Sequence, residues 1–406
     1  MRLIGAVLSG LALLFSLCCC SRAVNPDAFS VRDSVGIQIA VSTVPAWSNT
    51  QRFRVLDTPI LDLGGAEAPP EFQFQQLLDL ALLRNGNIVA TDMSARRVLF
   101  FSEDGEPLAQ QGRQGTGPGE FRLLFGLAIL GDSVIAYDRN FSRVTVFSSD
   151  GQFLGVRTFE DPPAGNPPLR NYYLVGSVDG DLLFTPRVFL PSTSGDVSVY
   201  RDTAPNLLYD VSLGFDAEVA EPSGMDMFSS VQGASSVPFG RISVIASSEE
   251  TVFICHGRDF EIRQFEPGRG LTHIIRRPYH PRPVTEEDLQ ELIARHLQNA
   301  GASSANDPRF DGFRAMMESA PLPEFMPTID GLIADALGFL WARHYSTRPG
   351  EAPREWSVFS SEGRWLGEVT MPVRFRPSVI REDYVLGVYS DAYDVEHIQK
   401  LPLVRQ

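Results

Sequence analysis

An all-β ring of repeated four-stranded units is the fold class this sequence predicts, and three observations carry the prediction. Residues 90–108, ATDMSARRVLFFSEDGEPL, align without a gap on residues 136–154, AYDRNFSRVTVFSSDGQFL, with nine of nineteen positions identical. The same signal returns at residues 358–367, VFSSEGRWLG, which match seven of ten positions of residues 146–155. Each copy breaks short apolar strands with a hairpin turn: Asp104 and Gly105, Asp150 and Gly151, Glu362 and Gly363. Four short antiparallel strands recurring about every 40–50 residues make one blade of a ring, and stacking blades buries faces that one blade alone leaves open. The sequence gives room for six such units, hence a six-bladed β-propeller.

In chain order, Arg2 precedes an unbroken stretch of apolar and small residues from 3 to 17, the pattern of an export signal, and it is too short to span a bilayer. Cys20 follows with Leu17 at −3 and the small Cys19 at −1, which resembles the lipobox of bacterial lipoproteins. That resemblance implies residues 1–19 as a lipoprotein signal peptide and Cys20 as the acylated first residue, holding the protein to a membrane of the cell envelope. Residues 20–33 then read as linker and residues 34–406 as the propeller. Residues 35–42, VGIQIAVS, look like a strand outside the ring. In the first blade, residues 77–82, 87–92, 97–102 and 108–111 read as its four strands, and the second follows 46 residues later. Weaker blades cover 172–212, 242–275 and 377–403. The last supplies only three strands, so residues 60–64 are expected to provide its fourth and close the ring.

A helical insertion is expected over residues 284–324, between blades four and five. Thr285 caps it, Glu286, Glu287 and Asp288 favour the positive end of the dipole, and Leu289, Leu292, Ile293 and Leu297 recur at spacings of three and four. Residues 310–317 read as a second short helix, stopped by Pro321 and Pro323.

Composition bounds the partners. With 35 basic against 50 acidic residues the formal net charge is −15, so the basic footprint that phosphate neutralisation requires is missing and nucleic acid is not expected. Only Lys400 among the basic residues is a lysine, so arginine stands wherever a cation is needed, not only where a bidentate fork is. Beyond Cys20, Cys255 alone remains, so no internal disulfide is expected.

The first blade, with NGNIVATD, then RRVLFF, an EDG turn and GRQGTGPGEF at 112–121, resembles the NHL-type six-bladed propellers. The order of signal, N-terminal strands, blades and helical insertion is similar to that of uncharacterised six-bladed propeller lipoproteins of bacteria. The resemblance covers nearly all of residues 34–406. It implies a fold rather than an activity, since propellers of this type include binding scaffolds, lyases and lactonases.

No motif diagnostic of a cofactor or metal is present. The glycine-rich run 112–119 leads into a strand, not a helix, so it reads as a connector between blades rather than a phosphate cradle. Cys255 and His256 are neighbours on a strand and point to opposite faces, so they are not partners by adjacency, and Cys255 reads as core. Aligning blades on the second strand places Asp92, Asp138, His256 and His344 at equivalent positions, with Pro186 and Tyr389 in the other two. Loops at the same end contribute Arg122, Arg170, Arg241 and Arg376 beside Phe121, Tyr172, Phe239 and Phe375.

The aspartates have a bland reading as turn caps, and the arginines have one as ion-pair partners of neighbouring blades. The sharper reading makes Arg122, Arg241, Arg376, Phe121, Phe239, Phe375, His256 and His344 a ligand site for an anionic small molecule, a peptide or a protein. A binding scaffold is the leading function. A hydrolase or lyase at the propeller mouth, with His256 or His344 as base, is the alternative.

Overall fold

Six sheets, antiparallel within each blade, stand side by side in a closed ring, each blade presenting its first strand to the centre. The structure, a computed structural model, describes residues 28–48, 53–186, 198–212, 214–230, 233–348 and 350–405. The expected signal peptide and Cys20 lie outside the described residues. Four strands precede the first blade: β1 (Phe29–Ser34), β2 (Ile37–Ser42), β3 (Phe53–Val55) and β4 (Leu61–Gly64). Blade one holds β5 (Leu77–Leu82), β6 (Ile88–Asp92), β7 (Arg97–Phe101) and β8 (Pro107–Gln111). Blade two holds β9 (Leu124–Leu130), β10 (Ser133–Asp138), β11 (Arg143–Ser148) and β12 (Phe153–Thr158). Blade three holds β13 (Tyr172–Val178), β14 (Asp181–Pro186), β15 (Ser198–Asp210), β16 (Gly214–Ser230) and β17 (Gly233–Ser236).

Blade four holds β18 (Val244–Ser247), β19 (Val252–Cys255), β20 (Glu261–Glu266) and β21 (Gly270–Arg276). The insertion follows with α1 (Glu286–Asn299) and α2 (Asp311–Glu318). Blade five is β22 (Ile329–Ala334), β23 (Leu340–His344), β24 (Arg354–Phe359) and β25 (Trp365–Met371), and blade six is β26 (Phe375–Ile380), β27 (Tyr384–Ser390) and β28 (Glu396–Arg405).

Alternation of apolar residues along each strand builds the core, because side chains two apart share a face. Val98 and Phe100 of β7 thus meet Val134 and Phe147 of blade two, while Leu99 and Phe101 face blade six. The ring closes as expected. β4 pairs antiparallel with β28, setting Leu63 opposite Ile398, and Leu61 and Leu63 pack between the first and last blades. Blade six also grips the inner strand of blade one: Arg376 donates to the carbonyls of Leu77 and Leu78 at 2.6 and 2.7 Å, and Glu396 accepts from the Leu77 amide.

The N-terminal segment does more than close the ring. β2 lies parallel to β21 on the outer edge of blade four, with Gln38 opposite His273, and β1 covers β2 in turn. Ala46 and Trp47 then donate to the backbone of Trp365 and Leu366 on blade five, and β3 pairs with the end of β28 on blade six. Residues 28–48 and 53–64 therefore form a belt along three consecutive blades. β1 begins at Phe29, so part of the expected linker over 20–33 is strand.

The insertion takes its expected place. Thr285 and Asp288 form a reciprocal capping box, and Leu289, Ile293 and Leu297 of α1 are buried against Phe239 and Met317. Among the described residues no helix is long and apolar enough to cross a membrane.

Blade three departs from the expected 172–212. β14 pairs with β15 only around residues 182–184, so the first half of β15 runs past the sheet and pairs with the second half of β16, which β17 joins. The departure point is an irregular register between Ala204 and Asn206, facing Pro222, which has no amide hydrogen to give a ladder. The result is a three-stranded ribbon standing above the ring.

Candidate functional site

In a propeller of this topology, the turns from second to third strands and the connectors entering each inner strand share one face. That upper face carries the insertion and the ribbon. Asp92 and Asp138 lie there fully buried and structural. Asp92 accepts from the amides of Gln75, Gln76 and Ala95 and pairs with Arg97 at 3.2 Å. Asp138 accepts from Arg122, Leu123 and Asn140 amides and pairs with Arg143. Each carboxylate stitches the incoming connector to the outgoing turn, which is why it recurs with the repeat.

Histidine replaces that aspartate in blades four and five, and the two sites differ. His256 Nε2 lies 2.7 Å from Glu221 Oε1 and Nδ1 lies 2.8 Å from Ser243 Oγ. The carboxylate fixes the tautomer: Nε2–H donates to Glu221 and Nδ1 accepts the Ser243 hydroxyl. Ser243 Oγ in turn accepts from the Gly224 amide at 2.8 Å and from Arg201 at 3.0 Å. The residue types are those of a Ser-His-Glu relay, yet both lone pairs of the serine oxygen are taken and Ser243 is buried. An oxygen so occupied is held for structure, not poised for attack.

His344 is a buried acceptor. Its Nε2 receives Ser357 Oγ at 2.8 Å and an Arg277 NH2 at 3.1 Å. Burial, with the Arg277 and Arg354 cations nearby, pushes it down to about 4. Arg277 itself stacks on Phe260 and Trp365 at 4.3 and 4.2 Å and bonds Glu368.

The structure distributes the expected arginines and phenylalanines over separate places, with Phe375 and Arg376 together lining a cavity between blades five and six. Arg241 forks onto Asp226 at 2.7 and 3.2 Å, and Arg201 reaches the same carboxylate at 2.9 Å. Burial pushes the Asp226 carboxyl up, but hydrogen bonds from Arg241 and Arg201 outweigh it and hold the group below the ordinary carboxylate range. Arg376 is spent on ring closure, as described. Arg122 lies exposed on the rim of blade two, and its backbone serves Asp138. Phe121, Phe239 and Phe375 are core residues, packed in three different clusters. Arg170 is exposed while its neighbour Tyr172 is fully buried.

The structure shows instead a cleft of about 1200 Å³ that no repeat element predicts. The ribbon contributes Val199, the residue after β17 contributes Val237, the turn of blade four contributes Arg258, the connector after β21 contributes Tyr279, and the exit from the insertion contributes Leu322 and Phe325. A smaller cavity of about 340 Å³ containing His256, Glu221 and Arg201 adjoins it, and the two share Arg241 and residues 257–259. Val199 and Phe325 are both strongly exposed along the cleft, and Arg258 forms no ion pair among the described residues. Among those residues no group of three His, Cys, Asp or Glu side chains is placed to hold a metal ion.

Sequence reasoning placed His256 and Arg241 at this face but missed Ser243, Glu221, Arg201 and Asp226. Ser243 was recoverable, since it precedes the inner strand of blade four opposite His256. The other three belong to the ribbon and its base, whose pairing no repeat announces.

The sequence model of the family DUF5128, a 6-bladed beta-propeller, matches residues 67–176. No curated protein matches the chain. Among solved structures, a member of the DUF4221 family from Bacteroides vulgatus is similar with a TM-score of 0.53 and 10% identity, over 88% of this chain and 99% of that one. An exported-type protein of Bacteroides fragilis aligns over 90% of this chain and 99% of its own at 13% identity, with a TM-score of 0.48. Virginiamycin B lyase from Staphylococcus aureus gives a TM-score of 0.41 at 11% identity, over 87% and 100%. At 10% identity the likeness to the DUF4221 protein is one of fold alone.

Proposed function

We propose that the protein is a lipid-anchored binding scaffold of the bacterial cell envelope, attached through Cys20, and that its ligand is a polypeptide segment held in the large cleft of the upper face. One observation carries this reading: the cleft is assembled where the ribbon and the insertion, the two departures of the chain from its own repeat, meet the turn of blade four. At about 1200 Å³ it exceeds the roughly 300–1,000 Å³ usual for a small-molecule site. Its exposed Val199, Phe325 and Arg258 supply the aromatic, apolar and cationic contacts typical of protein partners. Against a hydrolase or lyase stand the two histidines, one locked between Ser243 and Glu221, the other a weak base behind Arg277.

The test is in vivo photo-crosslinking from a benzophenone side chain at position 325, with position 154 on the opposite face as control. Leu154 is similarly exposed. A discrete polypeptide adduct from 325 alone supports the reading. No adduct, or the same adducts from both positions, sinks it.

A further inference from the structure

A stripe of four arginines crosses the upper face over blades one to three. Arg96 sits on the turn after β6, Arg139 on the turn after β10, and Arg122 and Arg170 on the connectors that enter β9 and β13. Among the described residues none of the four forms an ion pair, whereas their neighbours Arg97, Arg113 and Arg143 all do. The backbone sets their places. Arg96 Nε donates to the Arg122 carbonyl at 3.3 Å, and one blade further on Arg139 Nε donates to the Arg170 carbonyl at 2.8 Å. Each bond holds a turn arginine against the connector that carries the next one, so like charges follow one another along the ring. Both terminal nitrogens of Arg139 are without an acceptor among the described residues, while its guanidinium stands over the rings of Phe125 and Tyr173, 5.3 Å from each. A guanidinium seated on rings with its outer edge free presents the fork that a carboxylate fits.

The carboxylates around the stripe do not cancel it. Asp92, Glu120 and Asp138 are spent on Arg97, Arg113 and Arg143. On the connector into blade three, Asp161 accepts from the Leu169 amide and Asn166 donates to Glu218, and the exposed Glu160 stands beside them in the chain. With Glu160, Asp161 and Glu218 all set against the four arginines, one positive charge remains in excess, in a chain whose overall charge is −15. Neighbouring cations without partners repel, and an arriving anion relieves that repulsion. So small a surplus suits a few spaced carboxylates. It does not suit a nucleic acid, whose dense charge needs a broad basic footprint and would be repelled by the rest of the molecule.

We infer that the stripe of Arg96, Arg122, Arg139 and Arg170 binds an acidic segment of a polypeptide partner. This rests on the upper face being a polypeptide-binding surface, and it names the chemistry of that partner. The probe is fluorescein-labelled hexaglutamate, titrated into the full chain by fluorescence anisotropy at about 50 mM salt, where exposed charges are little screened. Hexaglutamine, hexagalacturonate and tripolyphosphate are the comparisons. Hexaglutamate should bind more tightly than all three and should weaken as salt rises. Arg122→Gln and Arg170→Gln, both at exposed positions, should each weaken it about threefold, and the double variant about tenfold or more, with melting unchanged. Arg84→Gln, on the exposed turn between β5 and β6, should leave binding as it was. No binding at about 1 mM peptide, equal affinity for hexaglutamine, or an unchanged double variant overturns the inference. Tighter hexagalacturonate overturns the polypeptide class, and tighter tripolyphosphate overturns the carboxylate chemistry. Crosslinking from position 325 reads the cleft alone: a missing adduct with hexaglutamate still bound sinks the cleft reading and leaves the stripe, and an adduct without hexaglutamate binding does the reverse.

Discussion

His344 makes the stability of this protein depend on pH in a way that one substitution should isolate. In the folded chain its Nε2 is an acceptor for Ser357 and Arg277, and burial with the neighbouring cations holds it at about 4. In the unfolded chain it titrates near the ordinary histidine value of about 6.5. Between those values the unfolded state binds one more proton than the folded state. The contribution is therefore complete above pH 6.5, is lost progressively as pH falls, and is fully lost below about 4. The full loss is about 3 kcal/mol, of which about 2 kcal/mol is already gone at pH 5.

The wild-type profile alone will not display this, because Asp79 opposes it. Burial raises the Asp79 carboxyl to about 6, so its folded form holds the extra proton, and its contribution is lost as pH rises through that value. His344→Gln keeps an acceptor near Ser357 and Arg277 but cannot take a proton. In urea unfolding, the stability of His344→Gln relative to wild type should improve by about 2 kcal/mol between pH 7.5 and pH 5. A gap between the two proteins that does not change with pH would refute the reasoning.

Other outcomes follow from the same geometry. Asp138→Ala leaves three backbone amides unmade and Arg143 buried without its partner, and should cost about 3–5 kcal/mol in chemical denaturation. A chain beginning after Gly65 lacks the belt and the strand that closes blade six; burial of Leu63 alone is worth about 1.5–3 kcal/mol, so it should melt far lower or aggregate. Burial pushes the Cys255 thiol up to about 12, so at pH 8 it should resist iodoacetamide in the native protein and react once unfolded, as peptide mass mapping will show. Cys20→Ala should move the protein from the membrane to the soluble fraction, and acyl chains on a peptide starting at Cys20 should disappear with it.

The repeat made the ring legible because its turns are demanding. Gly105 has φ of 87°, and a side chain there would meet Leu61 and Leu63 of the closing strand, so glycine marks both the hairpin and the closure. The ribbon was illegible because β16 passes Pro222 through an irregular register that no strand alternation announces. The partners of β1 and β2 were illegible for another reason: a strand pattern shows what a segment is, not which edge it joins. The expected pairing of each arginine with its neighbouring phenylalanine overlooked alternation. Neighbours on extended backbone point oppositely, so Phe121 and Phe375 facing the core required Arg122 and Arg376 to face away from them. What remained hidden was convergence: Asp226 gathers Arg201 and Arg241, and Asp330 gathers Arg343 and Arg354, through spacings that no local pattern encodes.

The belt has a kinetic consequence. The belt strands precede the blades in the chain, yet β2 finds its neighbour only when β21 exists, and β4 only when β28 does. The belt is thus seated late, after the long stretches of chain between its strands and their partners have been closed into loops. Until then the outer edges of blades four and six stand open, and a second nascent copy could lend its own N-terminal strands to fill them. Folding at high chain concentration should therefore yield strand-exchanged dimers, with the belt of each molecule wrapped around the blades of the other.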